Sequence, residues 1–227
     1  MEDKIKGADV SRDKFHRDLE DLKARLLNLA QLAETAIRQS VAAFLSLDRE
    51  AAREVIAGDK AINDLEEAID EECIRLIALF QPVALDLRQL MAVDHIIAEL
   101  ERVGDLAVNI AEEALDLEPG RARHPRLHEM AQEVIRMLGD SLQSFLNRDT
   151  RLARQVCKAD TLVDEMNRDL IQDLVQEMIA ADAAVPACQS QINVVRQLER
   201  VGDHATNIAE QVVYMVEGES VRHRCQG

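Results

Sequence analysis

Tryptophan is absent from this chain of 227 residues, tyrosine occurs once, and aromatic residues make up only 2% of it. Sheets are built largely from aromatic and β-branched side chains. The scarcity of aromatics here, beside abundant Ala, Leu, Glu and Arg, points to an all-α fold. With 8 glycines and 4 prolines there is room for few turns, so the elements must be long. No apolar run approaches the roughly 18 residues of a membrane span, and the polar opening Met1-Glu2-Asp3-Lys4 lacks the apolar stretch of a signal peptide. Cys73, Cys157, Cys188 and Cys225 lie far apart, with no C-x-x-C and no histidine at zinc spacing. A reduced, cytoplasmic protein is the expectation.

Positive charge is also in deficit. The 27 lysines and arginines against 43 acids leave a net charge of −16 and a pI near 4.8. That field opposes nucleic acid and anionic membranes and suits a protein or metal-cation partner. The local basic spots, at Arg121, Arg123, His124 and Arg126 and at Arg222, His223 and Arg224, read as a solvated loop and tail. Catalytic signatures are missing as well: there is no G-x-x-x-x-G-K-[ST], G-x-G-x-x-G, G-x-S-x-G or H-E-x-x-H. The expectation is a non-enzyme. At 47% hydrophobic content the chain can bury a core as one large or two small domains.

The strongest positive feature is a repeat. Glu101-Arg102-Val103-Gly104-Asp105 returns 98 residues later as Glu199-Arg200-Val201-Gly202-Asp203. Across Leu100–Glu112 and Leu198–Glu210, 11 of 13 positions are identical. Phe44-Leu45, Asp48, Arg53 and Asp59 also recur, as Phe145-Leu146, Asp149, Arg154 and Asp160, but at an offset of 101. The change of offset places a three-residue difference in the loop between the second and third helices of each half, where length differences are tolerated.

Periodicity fills in the helices. Leu19, Leu22, Leu26, Leu29, Ala33, Ala36 and Phe44 form the seam of a first helix from about residue 11 to about 47. Asp48 is placed to cap a second, which buries Ile56, Ile62, Leu65, Ile69, Leu76 and Phe80 and is broken by Gln81-Pro82. The third carries Leu90, Val93, Ile97, Leu100, Ala107, Ile110 and Ala114 inward. Glu118-Pro119-Gly120 ends the half, and the second half retraces it. The architecture expected is two tandem three-helix bundles related by a pseudo-two-fold axis: residues 1–118, a linker 119–125, residues 126–217, and a tail 218–227. Helices of about 30 residues are about 45 Å long, so the molecule should be elongated.

Chemistry enters with the repeated acids. Residues four apart on a helix share a face, so Glu101, Asp105, Asn109 and then Glu112 make one row of oxygen-bearing side chains. Glu199, Asp203, Asn207 and Glu210 make another. No lysine or arginine stands at i+4 of either acid, so these carboxylates repel each other unless a cation lies between them. On the preceding helix Asp160 and Asp164 form a D-x-x-x-D pair, matched in the first half by Asp59 and Asn63. Adjacent antiparallel helices would bring the pairs face to face, giving a hard-oxygen donor set suited to Mg²⁺, Mn²⁺ or Fe. The candidate ligands are Asp59, Asn63, Glu101 and Asp105, and Asp160, Asp164, Glu199 and Asp203, with Asn109 and Asn207 as extra donors. Gly104 and Gly202 interrupt helices at roughly 0.5–1 kcal/mol each. Close backbone packing, third helix against sixth, is the expected compensation. Arg102 and Arg200 are expected to pair with carboxylates of the other half, while Asp94, His95 and His204 have no assignable partner. Ferritin-like di-iron chemistry fails because no histidine has a glutamate three residues before it. A metal-dependent hydrolase using the clustered carboxylates is the alternative from another class.

The doubled E-R-V-G-D motif, with Gly58-Asp59-Lys60, Ala68-Ile69-Asp70-Glu71 and Gln81-Pro82…Asp86-Leu87-Arg88 before its first copy, resembles the PhoU family of phosphate-transport accessory regulators from about residue 10 to 217. The resemblance implies a cytoplasmic homodimer that represses phosphate uptake and the phosphate-starvation response. Its partners would be the sensor histidine kinase of that two-component system and the ATPase of the phosphate ABC transporter, through which alone it would meet a membrane. It also implies divalent metal bound by paired E(D)-x-x-x-D motifs, which map onto Glu101 and Asp105 with Asp59, and onto Glu199 and Asp203 with Asp160 and Asp164. Asn63 departs from that acidic pattern.

Overall fold

The computed structural model describes residues 2–117 and 123–218, the side chains of 2–12 excepted. Residues 118–122 and 219–227, which hold Glu118-Pro119-Gly120, most of the expected linker and the basic tail, lie outside the described residues. Six long helices make the fold: α1 (Glu2–Ser46), α2 (Arg49–Phe80), α3 (Ala84–Asp116), α4 (Pro125–Asn147), α5 (Thr150–Ala180) and α6 (Val185–Glu217). No strand occurs among the described residues. The first helix starts well before the expected residue 11 because nothing in the preceding polar stretch interrupts it. Periodicity marks only its buried part.

The two halves are punctuated alike. Asp48 accepts the backbone N–H groups of Glu50 and Ala51 at 3.1 and 3.0 Å, and Asp149 accepts those of Arg151 and Leu152, both at 3.0 Å. Each aspartate satisfies donors that the first turn of α2 or α5 leaves open. The three-residue length difference falls at Gln81–Val83, the turn from α2 to α3. In the second half a short 3₁₀ turn, Asp182–Ala184, leads directly into α6.

The helices pack as two three-helix units joined side by side through α3 with α6 and α1 with α4. The expected inward stripes are buried on α3 and α6 without exception. On the outer helices Ala36, Ile56, Leu65, Phe80, Met166 and Met178 are only partly buried against the core, and Leu152 is also only partly buried. α3 and α6 cross antiparallel: Arg88 Nε donates to the Met215 carbonyl at 3.1 Å, Glu99 meets His204, and Glu113 accepts from Asn193 at 2.7 Å. The two E-R-V-G-D segments therefore stand opposite one another at the middle of the crossing, with Val103 and Val201 fully buried.

Three expectations fail in this packing. Gly104 and Gly202 face neither α6 nor α3. A Cβ at Gly104 would stand 3.0 Å from Ile62 Cδ1 and 3.2 Å from Asp59 Oδ1, and one at Gly202 would stand 3.4 Å from Val163 Cγ1 and 3.7 Å from Asp160 Oδ1. The missing side chain at Gly104 lets α2 close on α3; Gly202 faces α5 within its own half at ordinary contact distance. Arg102 and Arg200 stay on their own helices, Arg102 with Glu99 at 3.0 Å and Arg200 with Gln197 at 3.5 Å, because each can reach a neighbour three residues back without crossing to the other half. Finally, Cys157 is disulfide-bonded, against the expectation of wholly reduced cysteines drawn from their separation in sequence.

The glycines generate a prediction. Replacing a mid-helix glycine by alanine gains roughly 0.5–1 kcal/mol when the site has room. At Gly202 the contacts are ordinary, so Gly202→Ala should raise the melting temperature. At Gly104 the new methyl presses on Ile62 and Asp59, so Gly104→Ala should forfeit that gain. Thermal unfolding of both variants checks the order, and a higher melting temperature for Gly104→Ala than for Gly202→Ala would contradict the packing described.

Candidate metal centre

Because α2 and α3 run antiparallel and close, the stripe of α2 at Asp59, Asn63, Glu66 and Asp70 lies along the stripe of α3 at Asp105, Glu101 and Asp94. Steps of four and three keep each stripe on one face. Asp59 is half-buried, and burial raises its carboxyl; Asn63, donating Nδ2 to Asp59 Oδ2 at 3.0 Å, opposes the rise, while the charge of Asp105 adds to it. Glu101 is raised by burial and by the charges of Asp105 and Asp59. The structure thus brings together the first-half acids expected from sequence.

Three further acids went unrecognised. Glu66 is raised by burial and then by Glu101, Asp70, Glu67 and Asp94, and Asp94 is raised by burial and by a hydrogen bond shared with Asp70. The signal was present, since Glu66 and Asp70 continue the spacing of Asp59 and Asn63 at i+7 and i+11. Asp94, which had no assignable partner, therefore has one in Asp70.

The second half is shorter and deeper. On α5, Asp160, Asp164 and Asn167 share a face against Glu199 and Asp203 of α6. Asp160 is only 8% exposed. Burial, followed by the charges of Asp164 and Asp203, pushes its carboxyl up to about 6, with Glu210 adding to the rise. Glu199 is raised by burial and by Asp203, Asp164 and Asp160; Asp203 is raised by burial and by Asp164. At the positions matching Asp70 and Asp94 stand Ile171 and Ile192, so the acidic stripe ends in apolar packing.

Of the extra donors, Asn109 is half-buried on the α3 face, while Asn207 is committed elsewhere, donating Nδ2 to Glu99 Oε2 at 3.0 Å. His204 is no lone surface residue, for its Nδ1 lies 2.6 Å from the same oxygen. His95 remains exposed.

Among the described residues no three of His, Cys, Asp and Glu already converge on one point as a metal cage. Other features fit a cation. Asp59 Oδ1 and Asn167 Oδ1 are buried without a hydrogen-bond partner. A buried acceptor without a donor is costly, and both lie on the acidic stripes, whereas the Thr206 hydroxyl bonds Asp160 and opposes its rise. Every donor is a hard oxygen.

The raised carboxyls have a definite sign in stability. A carboxylate whose folded value lies above its unfolded value binds a proton in the folded state first, so stability falls as pH climbs through the folded value. For Asp160 that window runs from the ordinary 3.8 to about 6. Asp160→Asn, a neutral stand-in for the protonated acid, should therefore be more stable than the parent at pH 7.5 without divalent metal, and the advantage should shrink toward pH 5. Melting curves across that range test it, and an advantage that grows toward pH 5 would contradict the electrostatics.

Comparison with known proteins agrees with this doubled arrangement. The PhoU domain model matches twice, over residues 26–114 and 127–212. The phosphate-specific transport system accessory protein PhoU homolog of Pseudomonas putida is 35% identical over 212 residues, covering 92% of this chain and 83% of the relative. The crystal structure of PhoU from Pseudomonas aeruginosa superposes with a TM-score of 0.86 at 35% identity, covering 90% of this chain and 100% of the other. That of the phosphate transport system regulatory protein PhoU from Streptococcus pneumoniae gives 0.87 at 30% identity, with 91% and 99% covered. Two matches, one per three-helix unit, and relatives aligned over nearly the whole chain place this protein in the PhoU family.

Proposed function

We propose that the protein is an accessory regulator of the phosphate-specific transport system, a non-enzymatic adaptor that holds down phosphate uptake and the phosphate-starvation response. The observation that carries this reading is the family match over both halves, with relatives named as accessory or regulatory proteins of phosphate transport. No helix among the described residues is long and apolar enough to cross a membrane, so contact with a transporter would be peripheral. The partners proposed are the sensor histidine kinase of the phosphate two-component system and the ATPase of the phosphate ABC transporter. The chain would act in the cytoplasm as a homodimer.

The adaptor is further proposed to bind divalent metal, Mg²⁺, Mn²⁺ or Fe, at the two acidic faces. Asp59, Glu101 and Asp105, with Asn63 and Asn109 beside them, would hold it in the first half; Asp160, Asp164, Glu199 and Asp203 would hold it in the second. The metal would neutralise carboxylates that otherwise repel across the α2–α3 and α5–α6 seams. The chain's own contribution is to hold Asp59, Glu101, Asp160 and Glu199 partly desolvated and close to the other acids, where a cation is favoured over open charge. The hydrolase alternative draws on the same acids, but no nucleophile or base motif accompanies them.

Two experiments test these proposals. Deleting the gene should release alkaline phosphatase expression in phosphate-rich medium, and unchanged expression would sink the regulatory reading. A cation that binds only the folded state at a hundredfold excess over its Kd stabilises by about 2.7 kcal/mol, which for a chain of this size is a rise of about 5–10 °C. Mn²⁺ should produce such a rise. Counting the ligand carboxylates favours the second half, four against three, and so does burial, since Asp160 is the most buried of them and its carboxyl is pushed up to about 6. Asp203→Ala should accordingly reduce the rise more than Asp105→Ala. Equal reductions would remove the inequality, and no rise in the parent would reduce the acids to a solvated face.

A further inference from the structure

The two copies of the repeated segment differ at two positions, Leu106 against His204 and Val108 against Thr206. The first difference ties the halves together. From α6, His204 sets Nδ1 2.6 Å from Glu99 Oε2 on α3, and Asn207, nearly one turn on, donates to the same oxygen at 3.0 Å. The other oxygen, Glu99 Oε1, accepts from Arg102 Nη1 at 3.0 Å. The Glu99 and His204 side chains are 14% and 13% exposed, so the contact is largely shielded from solvent and salt. Burial works to raise the Glu99 carboxyl, but the hydrogen bonds from His204 and Asn207 and the charges of His204 and Arg102 outweigh it and hold the group below its ordinary value.

This link has no twin. The symmetry-related positions hold Gln197, Leu106 and Asn109, and Gln197 accepts from Arg200 of its own helix at 3.5 Å. A chance polar contact at the crossing would not reach both acidic faces, yet this one does. Arg102 adjoins Glu101 in sequence and lowers its carboxyl; His204 adjoins Asp203 and lowers the carboxyls of both Asp203 and Glu101. Glu101, Arg102, Glu99, His204 and Asp203 thus form one connected path from the first acidic face to the second.

We propose that Glu99 is a positioning residue that couples the two faces, so that a cation bound at one raises the affinity of the other. The inference rests on the proposed metal binding. An ion that fixes Asp203 against α5 also fixes the adjacent His204 and, through Glu99, the turn of α3 that carries Glu101. The loss of side-chain freedom is then incurred once for both ions. Coupling of this kind is reciprocal, whichever face fills first. Repulsion between the two cations works in the opposite direction, but Asp105 and Asp203 are exposed and solvent screens it.

Calorimetric titration of the full chain with Mn²⁺ measures the coupling. The product of the parent's two stepwise association constants, divided by the product of the single constants of Asp160→Ala and Asp59→Ala, is the coupling factor. It should be at least about fivefold, the lower end of ordinary allosteric coupling. With Glu99→Ala added to all three proteins the factor should fall to about one. Glu99→Gln, which keeps an acceptor oxygen for His204 and Asn207, should restore part of it, and this partial rescue separates positioning from mere packing. A factor that survives Glu99→Ala while both faces still bind Mn²⁺ overturns the coupling and leaves the metal reading intact. A parent that binds no Mn²⁺ overturns both.

Discussion

Antiparallel helices packed closely enough to set carboxylate against carboxylate leave those acids partly desolvated, and the α2–α3 and α5–α6 seams are where this fold does so. At the first seam a Cβ on Gly104 would press on Asp59 and Ile62 of α2; at the second, Asp160 and Val163 of α5 lie beside Gly202 at ordinary contact distance. In both seams an aspartate and a branched apolar residue lie against the glycine. The aliphatic member seals the seam and the aspartate is partly desolvated by it. The raised carboxyls of Asp59, Glu101, Asp160, Glu199 and Asp203 follow from that approach, and a solvated acidic face would not have produced them.

Much of this was legible in the residue order. Helix periodicity located all six helices, the aspartate caps marked where α2 and α5 begin, and the change of offset between the repeats located the loop that differs. The pairing of α2 acids with α3 acids followed from antiparallel neighbours alone. What could not be read was direction around the helix axis at single positions. Gly104 and Gly202 read in sequence as packing against the opposite half, yet each faces a helix of its own half, because a helix glycine shows that something comes close without showing which helix it is. Arg102 and Arg200 were sent across the pseudo-two-fold when partners on their own helices were nearer. Glu66, Asp70 and Asp94 are not marked by the duplication, since their counterparts Asn167, Ile171 and Ile192 are not acids.

That last point bears on how a duplicated fold acquires different halves. The duplication preserves Gly104 and Gly202, the caps Asp48 and Asp149, and the acid pairs Asp59 and Asp160, Glu101 and Glu199, and Asp105 and Asp203, while other seam positions depart from it. Asn63 stands where Asp164 does, Glu66 where Asn167 does, and His204 and Thr206 replace an apolar pair. The first half has the longer acidic stripe and the second the more buried one.

The α2–α3 and α5–α6 seams are the cation sites proposed for this protein. Crystals of the full chain grown with Mn²⁺, measured on both sides of the manganese absorption edge, test that assignment most directly. The account predicts anomalous density between Asp59 and Asp105 and between Asp160 and Asp203. Density confined to other acidic patches, or none under conditions in which Mn²⁺ saturates the protein, would contradict it.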